Sequence, residues 1–206
     1  MKLVQLEFVT LDGVSQGPGG PDEDRSHGFT QGGWLVPYVD EDFLVHIRAW
    51  NAEADAFLFG RRTYEAFARD WPRAADQNDP VARSLNRLPK YVASQTLQPA
   101  QATWRPTTLL TGDVMAQVAA LKAQPGRELQ VHGSTRLGQS LLDAGLLDEL
   151  RLVIAPVVIG AGRRFFRDGA VPTRLRLTDS QGTPEGLTLQ TYVVAGRPEY
   201  GLYDVA

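Results

Sequence analysis

The sequence predicts an α/β fold: a mixed, mostly parallel sheet with helices on both faces, closed by a C-terminal antiparallel hairpin. Three observations carry that expectation. Short apolar runs alternate with helix-period segments as far as Gly145. Some of these runs, such as Ala56-Phe57-Leu58-Phe59, are apolar on both sides, as strands covered on both faces must be. From Glu149 onward only strand-like segments remain, and the last two flank a turn region containing Gly and Pro.

Residues 2–9 read as the first strand, ending at Thr10-Leu11-Asp12-Gly13. The polar stretch that follows, SQGPGGPDEDRSHGFTQGG, has neither the helix nor the strand period and is too long for an ordinary connector. It reads as a functional loop, with Gly13 through Gly33 expected to be a mobile flap with few anchors. Trp34, Leu35, Pro37 and Tyr38 stand at its far end to anchor it or to cover a ligand. Asp40 is placed to cap a helix whose first turn carries Glu41 and Asp42 and whose apolar face is Phe43, Leu44, Ile47 and Trp50.

The buried strand 56–59 runs directly into Gly60-Arg61-Arg62-Thr63-Tyr64-Glu65, read as a helix start. Asp79-Pro80 pairs a cap with proline at the first helical position, and Val81, Leu85 and Leu88 continue the face. Tyr91-Val92-Ala93 is the next strand, ending at Ser94; residues 96–108 read as irregular. Asp113 caps a helix bearing Val114, Val118 and Leu121, which Pro125-Gly126 stops. Leu129 to His132 forms a strand ended by Gly133-Ser134-Thr135, and a helix with Leu137, Leu141 and Leu142 follows. Leu150, Leu152 and Ile154, then Val157-Val158-Ile159, are strand-like; segments 173–178 and 187–194 make the closing hairpin. With no internal repeat and no linker, residues 1–206 read as one domain.

Composition narrows the function. Hydrophobic residues at 43% and charged residues at 22% fit a packed globular chain. A net charge of -3 argues against a phosphate backbone as main partner, so no nucleic-acid role is expected. The chain has no cysteine, which removes disulfides, thiol catalysis and thiolate metal ligation, and its three histidines show no ligand spacing. The first apolar run is interrupted by Glu7, unlike a signal peptide, and no run approaches the roughly 18 apolar residues of a membrane span. A cytoplasmic protein without a membrane partner is expected.

Two strand-to-helix junctions have the chemistry of anion seats. At Gly60-Arg61-Arg62-Thr63, a glycine permits close approach, free helix amides face outward and two arginines add donors. The plain alternative is a tight turn followed by a solvated basic turn. At His132-Gly133-Ser134-Thr135-Arg136, hydroxyls and free amides meet at one helix start. Its plain alternative is helix capping by Ser134 or Thr135. Neither junction is a GxGxxG fingerprint, and no GxxxxGK[ST] loop occurs.

The chain resembles the dihydrofolate reductase superfamily, and most closely the branch containing the C-terminal reductase domain of the bifunctional riboflavin-biosynthesis deaminase-reductase. FVTLDGV, GPGGPDED, GGW, LFGRRTYEAF, KYVASQTL, TLLTGDV and LQVHGSTRLGQSLLDAGLLDELRLVIAPVVIGAGRRFF carry the resemblance in order, nearly end to end. It implies the dihydrofolate-reductase-like three-layer fold, NADPH as hydride donor, a small heterocyclic or carbonyl substrate and a homodimer. It further implies that Gly60, Arg61, Arg62 and Thr63 hold cofactor phosphates and that Ser94 lies near the adenosine 2′-phosphate. Gly133, Ser134, Thr135 and Arg136 would support the pyrophosphate, and Thr10, Leu11 and Asp12 would pass the nicotinamide.

Folate reductases place a carboxylate in the helix before the glycine-arginine-x-threonine strand. The count back from Gly60 puts that position near Leu44, which speaks against folate reduction unless a shifted loop brings Asp40 into the pocket; a riboflavin-pathway-like pyrimidine or a pterin stays open as the heterocycle. Asp40 is then the nearest carboxylate for proton transfer, acting through water beside Trp34 or Tyr38, with helix capping as its alternative role. The zinc-binding PCxxC of the deaminase half is absent, which limits any riboflavin-pathway role to the reductase step. The alternative to an enzyme is a nucleotide-binding module without a reaction pocket.

Overall fold

A computed structural model describes residues 1–203. It contains eight strands: β1 (Lys2–Thr10), β2 (Ala54–Gly60), β3 (Lys90–Ala93), β4 (Thr107–Leu110), β5 (Glu128–His132), β6 (Glu149–Ala155), β7 (Leu175–Gly182) and β8 (Thr188–Val194). Five helices connect them: α1 (Glu41–Ala52), α2 (Arg61–Asp70), α3 (Pro80–Arg87), α4 (Val114–Lys122) and α5 (Thr135–Asp143). The strands form one sheet in the order β4-β3-β2-β5-β1-β6-β8-β7. All pairs from β4 to β6 are parallel, and β6-β8 and β8-β7 are antiparallel. This is the dihydrofolate-reductase-like mixed sheet with its C-terminal hairpin.

Period-two alternation distributes the core over the two faces. On β2, Ala56 and Leu58 join Leu129, Val131, Leu141 and Leu150 on one face, with α4 and α5 above them. Phe57 and Phe59 point the other way, toward Tyr64, Leu85, Val92 and Trp104. On β6, Leu150 and Leu152 serve the first face, whereas Val153 and Ala155 pack with Phe43, Trp34 and Leu189 on the second. The expected caps form: Asp40 accepts from the Phe43 amide (2.8 Å), Asp79 from the Val81 and Ala82 amides (2.9 and 3.1 Å), and Asp113 from the Ala116 amide (3.0 Å).

Three expectations are corrected. Within 96–108, which reads as irregular, Thr107 starts β4; this four-residue edge strand is defined by its ladder with β3 rather than by any period of its own. Val157 to Ile159 is not a strand. Pro156 ends β6, and the chain tightens there through Val157 N–H to Ala155 O (2.8 Å) and Ala161 N–H to Ile159 O (2.9 Å). The segment from Gly13 to Gly33 is well anchored rather than poorly so. Val14 is fully buried, the Trp34 indole donates to Gln16 O (2.8 Å), and the Gly33 amide donates to Gly17 O (2.7 Å). Arg163 ties the loop down further, donating to Asp24 Oδ2 and to Ser26 Oγ, both at 3.0 Å.

The topology creates the site. β1 lies between β5 and β6, and β2 is separated from β1 by β5, so crossovers leave in both directions from the sheet centre. Parallel strands bring their carboxyl ends to one edge, and the point where the crossovers diverge opens a crevice there.

Candidate functional site

A cavity of about 730 Å³ occupies that crevice. Leu6 to Phe8 of β1, the ends of β2, β3 and β5, the first turns of α2 and α5, the 15–18 stretch of the loop and Arg163 line it. Its size is that of a small-molecule or cofactor site.

The two junctions singled out in the sequence meet here and are bonded to each other. The Gly60 amide donates to Ser134 Oγ (2.8 Å), so Ser134 does not cap its own helix but ties the start of α2 to the start of α5. Gly133 (φ +52°) and Ser134 (φ +60°) are consecutive left-handed residues, a conformation that costs a serine on the order of 1 kcal/mol. The turn they make leads directly into α5. Two helix N-termini, each with free amides and a partial positive charge, therefore face one cavity.

Arg61 lies between the start of α2 and the end of β3. Its Nε donates to Glu65 (2.7 Å) and its Nη1 to the Thr96 hydroxyl (2.8 Å). Ser94 is buried nearby, and its Oγ accepts from the amides of Thr96 (3.2 Å) and Leu97 (3.0 Å), which leaves its proton free to donate. Arg62 points the other way, donating to Ser26 Oγ (3.1 Å) of the loop. Thr63, Thr135 and the exposed Arg136 also border the cavity. The structure thus gathers Gly60, Arg61, Arg62, Thr63, Ser94, Gly133, Ser134, Thr135 and Arg136 around one space.

Other expected residues lie elsewhere. Leu6, Glu7 and Phe8 of β1 line the cavity, but Thr10, Leu11 and Asp12 do not. Asp12 accepts the Thr10 hydroxyl (2.6 Å) and the Gly160 amide (2.9 Å), locking the turn after β6. The Thr10 hydroxyl, with those backbone donors, holds Asp12 down to about 2. Asp40, Trp34 and Tyr38 are also outside the lining. Both oxygens of Asp40 are engaged, one by the Phe43 amide and the other by the Glu185 amide (3.0 Å), and the Phe43 bond leads in keeping it below the usual carboxylate range. Trp34 is buried in the core beneath the loop, with Tyr38 packed against it.

The acid in the cavity wall is Glu7. It is 2% exposed; Oε2 accepts from the Gln5 side-chain amide (2.8 Å), and Oε1 faces the Thr135 hydroxyl (3.5 Å). Burial pushes its carboxyl up to about 8, against the opposing hydrogen bonds of Ser15, Thr135 and Gln5 and the charge of Arg163. Near neutral pH it is mostly a neutral acid. Asp24, on the same wall, goes the other way. Its burial is outweighed by the Ser26 hydroxyl and amide and by Arg163, and it stays ionised with its carboxyl at about 2. His132, also in the lining, is held at about 3 by burial and by the charge of Arg151, so it is neutral. The sequence signal for Glu7 was a carboxylate in mid-strand on the central β1, in a position where a strand covered on both faces has no solvent to offer.

The profile of the RibD C-terminal domain family matches residues 2–189. A Bacillus subtilis (strain 168) protein, Uncharacterized protein YyaP, is 26% identical over 190 residues, covering 89% of this chain and 90% of that one. A putative riboflavin biosynthesis protein from Shewanella sp. PV-4 superposes with a TM-score of 0.67 at 20% identity, over 95% of this chain and 99% of that one. A pyrimidine reductase-like protein from Corynebacterium diphtheriae gives a TM-score of 0.58 at 17% identity, over 94% and 92%. The diaminohydroxyphosphoribosylaminopyrimidine deaminase/5-amino-6-(5-phosphoribosylamino)uracil reductase of Thermotoga maritima gives 0.60 at 11% identity, over 94% of this chain and 56% of that one. At these identities the structural likenesses show a shared fold.

Proposed function

The chain belongs to the RibD C-terminal domain family, and on that premise we propose that it is an oxidoreductase that binds NADPH and reduces a small heterocyclic or carbonyl substrate. Family and fold support a reductase-type role in general; the cofactor and substrate class are the finer part of this reading. The observation that carries it is the paired helix start, with Gly60 and Ser134 hydrogen-bonded to each other in the cavity wall and Arg61 beside Ser94 at one end.

These residues suit NADPH. The strained Gly133-Ser134 turn and the free amides of α2 and α5 offer donors to a pyrophosphate, as a dinucleotide requires. Arg61 and Thr63 would hold phosphate oxygens, with Gly60, its amide committed to Ser134, leaving room for their approach and Arg61 and Ser94 around a 2′-phosphate; Gly133, Ser134, Thr135 and Arg136 would cradle the pyrophosphate. When bound, the cofactor supplies a hydride, and the protein contributes position, exclusion of water and a proton. The other end of the cavity, walled by Glu7, Phe8, Ser15, Gln16 and Arg163, remains for the substrate.

Calorimetric titration of NADPH and NADH into the chain tests the reading. Binding is expected, with NADPH tighter. No binding of either cofactor removes it. Binding of NADPH without its oxidation by any carbonyl, imine or pyrimidine acceptor would favour the nucleotide-binding module, which the placement of Asp40, Trp34 and Tyr38 away from the cavity also favours.

A further inference from the structure

Glu7 sits where a reduction needs an acid. Among the described residues no salt bridge reaches it, and a buried carboxylate without an ionic partner is costly. Its Oε1 faces Thr135 Oγ1 (3.5 Å), which shares a hydrogen bond with Ser15 Oγ (2.9 Å); both hydroxyls border the cavity. Other acids of the lining are committed: Asp24 to Arg163, Glu65 to Arg61, and Glu23 to the Gly19 amide.

From this arrangement we infer that Glu7 is the proton source for the reduction, passing its proton to the substrate through the hydroxyls of Thr135 and Ser15. The inference rests on the reductase reading above. Hydride adds to the electrophilic carbon of a C=O or C=N group, and the π electron pair moves onto the oxygen or nitrogen. That atom takes a proton from the hydroxyl relay, the relay is refilled from the Glu7 carboxyl, and Glu7 remains as carboxylate until water reprotonates it. One hydride and one proton give the alcohol or amine.

The neighbours of Glu7 permit this. On its own strand Gln5 donates to it; Leu152 is its partner on β6; α5 and the loop present Thr135 and Ser15, while His132 of β5 lies on the other face of the sheet, against Phe57 and Phe67. Arg163 is the cation whose field reaches it, and burial outweighs that field. Arg62 and Arg69 of α2 and Arg136 of α5 border the same cavity. A general acid works best with its pKa near the working pH, which burial of a glutamate achieves.

Carbon-13 titration of the glutamate carboxyls in the ligand-free chain should show one group titrating near pH 8, and Glu7→Gln should abolish it. NADPH, whose dihydronicotinamide ring is neutral, titrated calorimetrically at pH 8 without acceptor in buffers of different ionisation enthalpy should draw a fraction of a proton into the wild type. The phosphates raise the carboxyl further, so uptake should exceed that of Glu7→Gln, with affinities agreeing within about threefold. With an acceptor found by screening, wild-type turnover should decline above pH 8. Glu7→Gln should lose about 100-fold or more and that decline with it. Thr135→Val should behave like Glu7→Gln and Thr135→Ser like wild type, a pair that decides the question if Glu7→Gln does not fold. A Glu7 carboxyl ionised at pH 6, or equal proton uptake by wild type and Glu7→Gln, overturns the inference. Wild type that binds no nicotinamide cofactor sinks the reductase reading itself and the donor role with it.

Discussion

Arg61 and Asp40 show how differently two charged residues beside a helix start can be used. Arg61 is 39% exposed in its side chain and spends two nitrogens on Glu65 and Thr96, leaving the fork partly free toward the cavity. Charge-assisted bonds to a phosphate are worth about 1.5–3 kcal/mol. Arg61→Ala should therefore weaken NADPH roughly 10- to 150-fold and NADH much less, measured by calorimetry at fixed ionic strength. Equal losses would assign Arg61 to the fold or to the shared pyrophosphate. Asp40 has both oxygens committed to backbone amides, one at the start of α1 and one in the turn between β7 and β8. Asp40→Ala is expected to lower the melting temperature while leaving NADPH affinity unchanged. Lost turnover at an unchanged melting temperature would return Asp40 to the chemistry.

At the scale of elements, the site depends on how closely α5 approaches β1. Gly138 makes that approach possible: a Cβ there would stand 2.4 Å from Gln5 Oε1 and 2.9 Å from the Phe165 ring. Neither neighbour can retreat, because Gln5 is buried and hydrogen-bonded to Gly133 O and Glu7, and Phe165 is 1% exposed. Gly138→Ala should destabilise by about 1–3 kcal/mol in urea unfolding despite alanine's better helix propensity. It should also disturb the Thr135 and Glu7 geometry, so cofactor binding should weaken in parallel. Stability equal to wild type would mean the helix can shift outward at no cost. The loop follows the same logic: Gln16, Trp34 and Arg163 fasten it to the rim of the cavity, so it is part of the wall.

For the whole molecule, buried ionisable groups set the pH dependence. Glu7 is raised from 4.5 to about 8, so the folded chain keeps a proton that the unfolded chain has released, and stability falls as pH rises through that window. His132 is lowered from 6.5 to about 3, so its contribution is lost as pH falls through 6.5 toward 3. Between pH 6.5 and 8 the Glu7 effect is the largest, offset in part by the last of the His132 titration and by Lys90, whose ammonium burial lowers from 10.5 to about 8, and stability should drop by about 1 kcal/mol. Glu7→Gln should flatten that limb in urea denaturation; a slope equal to wild type would show that Glu7 is already ionised. On a larger scale, β7 is an outer edge strand with most of its residues exposed, Leu177 among them. The homodimer implied by the family resemblance should sediment at twice 22.6 kDa at micromolar concentration, and a monomer there rejects it.

The sequence alone determined the alternation of strands and helices, the caps at Asp40, Asp79 and Asp113, and the two glycine-led junctions. All of these are written in local period, turn chemistry and residue type, and physics acts on them over a few residues. It did not determine β4, because a four-residue edge strand is defined by its neighbour. It left the loop unanchored on paper because the partners of Asp24 and Gln16 sit about 140 residues away, on the segment after β6. Which carboxylate faces the cavity was likewise decided by tertiary structure. Asp40 lies near the site along the chain but is turned into two caps, whereas Glu7 is carried into the wall because β1 runs through the centre of the sheet between β5 and β6. Burial on both faces is a property of strand order, and it is burial that keeps a glutamate protonated.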